Sequence, residues 1–194
     1  MEPTQQKSSK KMWVIVLVVI AVLAVYLVSS YNGFVAMNEK VTNSWAQIDN
    51  QLQRRYDLIP NLVETVKGVA QQEKDVFGAI ADARSRYAGA TTPETKAQAA
   101  NQVESALARL LVITENYPVL RSSEAFTSLM TQLEGTENRI SVARKDYNDS
   151  VTALNTRIKA FPANLIAKMF GFSARTYFEI PNEAKANPQV KFTN

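Results

Sequence analysis

From Met12 to Val28 the chain shows no alternation of polar and apolar positions. Its seventeen residues there are drawn only from Val, Ile, Leu, Ala, Met, Trp and Tyr. At about 1.5 Å of rise per residue the run nearly crosses a hydrocarbon core about 30 Å thick, and the uncharged stretch continuing to Asn38 supplies the remainder. Trp13 at one end and Tyr26 and Tyr31 at the other fit aromatic belts at the two membrane interfaces. The pattern predicts a short basic tail over residues 1–11 and a transmembrane helix over residues 12–33.

Beyond the anchor, apolar residues recur at three-and-four spacing, the mark of one buried stripe per helix. Val41, Trp45, Ile48, Leu52, Tyr56 and Ile59 form a first stripe, on a helix that can continue directly from the anchor with Gly33 as a possible hinge. Pro60 punctuates a turn, and Leu62, Val66, Val69, Val76, Ile80 and Tyr87 trace a second helix that stops near Gly89. Thr92 followed by Pro93 reads as an N-cap with proline at the first helical position. That opens a third helix through Ala100, Val103, Leu107, Leu110 and Tyr117, ended by Pro118.

Ser122 or Ser123 with Glu124 can cap the fourth helix. Its stripe is Phe126, Leu129, Leu133, Thr136, Ile140, Ala143, Tyr147, Val151, Leu154, Ile158 and Phe161, about 55 Å of helix ended by Pro162. No segment has the two-residue period of a strand. The expected fold is all-α: an N-terminal transmembrane helix followed by an antiparallel four-helix, up-and-down bundle over residues 34–178, with a polar and poorly ordered tail over residues 179–194.

In that topology the turn from Tyr56 to Pro60 lies at the tip far from the membrane. It gathers the densest polar signature of the chain: Asp49, Asn50, Arg54, Arg55, Asp57 and Asn61. These residues could form a recognition tip for a partner protein, because arginine offers a forked, always-charged donor set. The more ordinary reading is that they cap and tie two helices, as helix turns spend polar groups on unsatisfied backbone. The fourth helix returns toward the bilayer and brings the apolar segment Leu165, Ile166, Met169, Phe170 and Phe172 close to the lipid, flanked by Lys159, Lys168 and Arg175. An interfacial helix can have this composition, and so can a segment that merely closes the end of a bundle core. Asn138, Asn148 and Asn155 beside the long stripe are expected to fix helix register. Val63 and Phe77, outside the stripes, could support self-association into a homo-oligomer.

Composition narrows the chemistry. There is no histidine and no cysteine, which removes the commonest general base, the commonest metal ligand and the thiolate nucleophile. Six glycines form no phosphate-binding loop, and no serine sits in a nucleophile-elbow motif. Carboxylate pairs such as Glu134 and Glu137, or Asp146 and Asp149, have helical neighbour spacing, but a ferritin-like metal site would also need Glu-x-x-His. The net charge of +4 resides largely in the lysines ahead of the anchor; after residue 28 there are 19 basic and 17 acidic side chains. A near-neutral domain gives no reason to expect nucleic acid as a partner.

Lys7, Lys10 and Lys11 precede the span, while Lys40 beside Glu39 is the basic residue close behind it. The positive-inside bias therefore places the N-terminus in the cytoplasm and the bundle on the outer, periplasmic side. A cleavable signal peptide is the competing reading of residues 1–28, weakened by the length of the apolar run and the lack of an A-x-A site. A lipoprotein is excluded because there is no cysteine to acylate.

The block from Tyr31 to Val35, and above all Trp45 to Val63 (WAQIDNQLQRRYDLIPNLV), is similar to the signature of the LemA family. Ala83-Arg84, Glu115 to Pro118, Leu133 to Ile140, Ala143-Arg144, Tyr147-Asn148 and Phe161 to Ala167 resemble further LemA blocks, so the likeness runs from Tyr31 to about Phe178. It implies a bacterial membrane protein with one N-terminal transmembrane helix and a helical-bundle domain, without a settled enzymatic activity or cofactor. Some descriptions of the family place the short N-terminus outside, opposite to the lysine count. Where many members carry a histidine before a glutamate, this chain has Gln71-Gln72-Glu73.

The sequence thus leads to a non-enzymatic, single-pass protein of the bacterial inner membrane, a protein-interaction or scaffolding module held by Met12 to Val28 in the lipid bilayer. It needs no cofactor and no metal, and its partners are unidentified envelope proteins. The alternative is a membrane-surface protein that binds lipid through Leu165 to Phe172.

Overall fold

A computed structural model describes residues 6–70 and 72–178. Six helices follow one another: α1 (Gln6–Lys67), α2 (Lys74–Gly89), α3 (Pro93–Thr114), α4 (Pro118–Arg121), α5 (Glu124–Lys159) and α6 (Ala163–Met169). Among the described residues there is no strand. Gln71 and the polar tail expected over residues 179–194 lie outside the described residues. The chain divides into two compact units, to both of which α1 and α5 contribute. The first comprises residues up to Thr42 with Ser150–Arg175, the second Asn43–Asp149 with residues from Thr176 onward.

In the first unit, α1 is the one described helix long and apolar enough to cross a membrane. Its residues 12–28 are exposed on every side, and burial begins abruptly at Ser30 and Phe34, which are 2% and 0% exposed. Phe34 meets the ring of Phe172 at 5.1 Å, while Val151, Leu154, Ile166 and Ala167 complete the small core. α1 runs through Gly33 without a break. The glycine's missing side chain makes room for Arg157: a Cβ there would lie 3.1 Å from the guanidinium, which sits over the Phe34 ring at 5.5 Å.

In the second unit the α1 stripe of Ile48, Leu52, Tyr56, Ile59, Leu62 and Val66 is buried without interruption. The turn expected at Tyr56 to Pro60 does not exist, because Pro60 lies inside α1. A proline in a helix interior costs about 3 kcal/mol and one hydrogen bond. Burying Ile59, Leu62 and Val66 contributes about 1.5–3 kcal/mol each, so packing on both sides of Pro60 outweighs the local preference. The chain turns further on, after Lys67, at Gly68.

α3 begins as the sequence predicts. The Thr95 amide donates to the Thr92 hydroxyl at 3.2 Å, and the Thr92 amide donates to the Thr95 hydroxyl at 3.1 Å, a reciprocal capping box with Pro93 at the first position. It ends at Thr114, earlier than expected, and Pro118 opens the short α4 instead of closing α3. α5 buries Phe126, Leu133, Thr136, Ile140 and Tyr147 of its stripe here. The stripe's expected last member, Phe161, lies past the helix end and is 81% exposed.

Candidate functional site

Two groups of residues were singled out by the sequence, and the structure treats them differently. The six polar residues lie on about three turns of a continuous helix, not at a tip. Asp49 is an internal hub: its carboxylate accepts from Lys96 Nζ at 2.7 Å and from the Tyr87 hydroxyl at 3.2 Å, joining α1 to α2 and α3. Burial, then the Asp49 carboxylate, raises the Tyr87 pKa above its ordinary value. Arg55, only 11% exposed in its side chain, pairs with Glu137 of α5. Asp57 accepts from Gln53 within α1 at 2.9 Å, and the Asn61 carbonyl accepts from the Thr65 hydroxyl at 2.7 Å. Asn50 and Arg54 are exposed on the same helix.

The apolar group near the end of the chain is built around α6. Ala163, Ile166 and Ala167, at i, i+3 and i+4, are buried and hold the helix to its unit. Leu165 and Met169, on the other side, are more than half exposed, and Phe170 is 49% exposed. Gly171 then adopts a φ of 76°, and the Phe172 amide donates back to the Ala167 carbonyl at 2.9 Å. This Schellman-type ending requires the left-handed conformation that glycine takes without strain. It reverses the chain so that Phe172 reaches Phe34 while Phe170 stays on Tyr31, 4.9 Å between ring centroids. Tyr31 is the aromatic residue just past the all-round exposed run. Exposed Leu165, Met169, Phe170 and Phe161 therefore belong to the same unit as the emerging α1, with Lys159 and Lys168 exposed beside them.

Sequence reasoning missed the use of the asparagines on α5. In the first unit the Asn155 amide donates to the Arg175 carbonyl at 2.9 Å and accepts from the Arg175 amide at 2.8 Å. In the second, Asn148 makes the same two bonds to Phe178, at 3.1 and 2.9 Å. Each side chain mimics a neighbouring strand and pins an extended backbone residue. Phe178 thereby packs on Trp45 at 6.1 Å and under the Arg144 guanidinium at 4.7 Å. The expected role in helix register gives way, for Asn148 and Asn155, to this hold on non-helical backbone, which periodicity does not read.

A sequence profile of the LemA family matches residues 44–192, most of the chain. The chain belongs to the LemA family. The match takes in the α1 block from Ser44 through Pro60 and Asn61, the α5 asparagines and α6. Among curated LemA-like relatives, Magnetosome protein MamQ 2 of Paramagnetospirillum magneticum is 28% identical over 194 residues, which cover 84% of this chain and 71% of that protein. Magnetosome protein MamQ of Magnetospirillum gryphiswaldense is 27% identical, covering 78% and 65%. Protein LemA of Metamycoplasma hominis is 22% identical, covering 71% and 63%.

Proposed function

We propose that this LemA-family protein is a non-enzymatic interaction module tied to the bacterial inner membrane twice, by the apolar part of α1 and by α6 lying in the bilayer interface. The observation that carries the reading is the placement of α6. Leu165, Met169 and Phe170 are exposed, and Phe170 packs on Tyr31, which follows the exposed apolar span of α1. A soluble monomer rarely leaves such a contiguous apolar surface to water. An interfacial helix buries it by about 5–10 Å in the headgroup boundary, with lysines reaching to phosphate.

The interaction role rests on the remaining domain. It is all helical, lacks histidine and cysteine, and uses Asp49, Arg55 and Glu137 to join helices to one another. An antiparallel four-helix bundle, with its N-terminus in the cytoplasm and the bundle on the outer side, is the arrangement that the short connections and the lysines ahead of the span support.

The natural absence of cysteine makes the test clean. Single Leu165→Cys and Met169→Cys variants of the full-length protein in lipid nanodiscs, spin-labelled, are expected to be relaxed strongly by oxygen and weakly by a water-soluble nickel chelate. Strong relaxation of both labels by the chelate would place α6 in water and remove the second membrane contact.

A further inference from the structure

In the second unit, α1 residues 56–67 and α2 residues 77–88 wall a half-open groove of about 490 Å³. Its floor is apolar: Ile59 and Ile80 are buried, and Val63 and Phe77, which lie off the core stripes, are half-buried. The α2 wall is made of small exposed residues, Ala81, Ser85 and Ala88, at the spacing of one helix face. Each wall is about three turns, or roughly 17 Å, long.

Both ends carry a cation against a ring. Arg84 lies over Tyr56 at 5.3 Å, and Lys67 lies over Phe77 at 5.9 Å. Lys67 is shared with Glu64 at 3.3 Å in an exposed pair of little energetic weight. Arg84 is in none of the ion pairs among the described residues. Between these ends Pro60 forms part of the α1 wall. Its missing amide leaves the Tyr56 carbonyl without the helical donor it would otherwise have. A local rule broken in the middle of a regular helix is what a functional surface is expected to show.

We infer that this groove receives an amphipathic helix of a partner protein, about three turns long, whose apolar face covers Val63 and Phe77 and whose acidic side chain pairs with Arg84. The inference deepens the interaction-module reading and rests on it. The half-open shape suits a helix, which presents one apolar face and keeps the other in water. A small-molecule site would enclose most of its ligand. Small side chains along α2 allow the helix axes to approach to about 8–10 Å. The Arg84 guanidinium, held against Tyr56 but in none of the ion pairs among the described residues, suits a carboxylate, with forked hydrogen bonds fixing the direction of the docked helix.

The test uses the full-length protein in cells, with the photo-crosslinking residue p-benzoylphenylalanine in place of Ser85 and adducts sequenced by mass spectrometry. The expected adduct is a segment of another protein with apolar residues at three-and-four spacing and an Asp or Glu within two turns of the crosslink. Arg84→Glu, checked for an unchanged circular dichroism spectrum, is expected to lower its yield at least tenfold, and reversing the mapped acid to Arg to restore it. No adduct, an adduct of lipid mass, an adduct with a second copy of this chain, or a yield indifferent to Arg84→Glu would each overturn the inference. The spin labels on α6 report independently, so failure of the membrane contact and failure of the groove are separable.

Discussion

The two halves of α1 are one helix with two kinds of surface. Residues 12–28 are apolar around the full circumference and exposed, whereas residues 41–66 bury one stripe and expose polar residues on the rest. Continuous backbone hydrogen bonding serves both, because a helix satisfies its own amides in lipid as in water. What differs is where the apolar side chains find cover. In the first half the described residues supply none, which is compatible with a membrane anchor, and in the second half α2, α3 and α5 do.

The largest effect expected from breaking this contrast comes from deleting the same atoms in each half. Leu62→Ala, at a fully buried site, is expected to lower the unfolding free energy by about 2–5 kcal/mol. Leu23→Ala, in the exposed run, is expected to leave the domain's melting temperature unchanged in detergent. Calorimetry of both variants checks this, and an equal loss would mean that the run packs against protein.

Next in size is Pro60→Ala. Inside a helix, alanine in place of proline is expected to raise stability by about 1–3 kcal/mol, since it restores the amide donor to Tyr56 and removes the ring clash. At a helix start, where proline is favoured, the same change would be neutral or destabilising. A urea titration therefore separates a continuous α1 from two helices joined by a turn.

The smallest effect sharpens the polar side of the second half. The Tyr87 pKa is raised in the folded state by burial and by Asp49. A raised tyrosine keeps its proton when folded but loses it when unfolded above about pH 10, so its stabilisation is complete below pH 10 and declines as pH rises beyond it. Stability is expected to fall by at most about 1.4 kcal/mol per pH unit there. Tyr87→Phe should flatten that decline while lowering stability at neutral pH through the lost bond to Asp49. Chemical denaturation at pH 8 and above pH 10 measures both.

Much of this was legible in the sequence, for identifiable reasons. The long apolar stretch of α1 needed only composition and length. The Thr92-Thr95 cap and the α5 stripe through Leu154 followed from local chemistry and a 3.6-residue period. Pro60 and Pro118 misled because each was read by its local preference alone. The stripe packing of Ile59, Leu62 and Val66 carries α1 through the first, and the second starts α4 instead of ending α3. Asp49, Asn50, Arg54, Arg55, Asp57 and Asn61 stand close together along the sequence. Yet a cluster along a sequence does not say which members face a neighbouring helix.

The sequence by itself determined that this protein is helical, that one end of it is apolar enough for lipid, and that it belongs with LemA proteins, because those properties are sums or periods over many residues. Tertiary structure alone decided that α1 passes through Pro60, that Asp49 and Arg55 meet Lys96 and Glu137, that Asn148 and Asn155 hold extended backbone, and that α6 keeps Leu165 and Met169 uncovered. Each of those depends on partners 20 to 82 or more positions away in the chain, or on their absence. A local pattern contains no record of what will be folded against it.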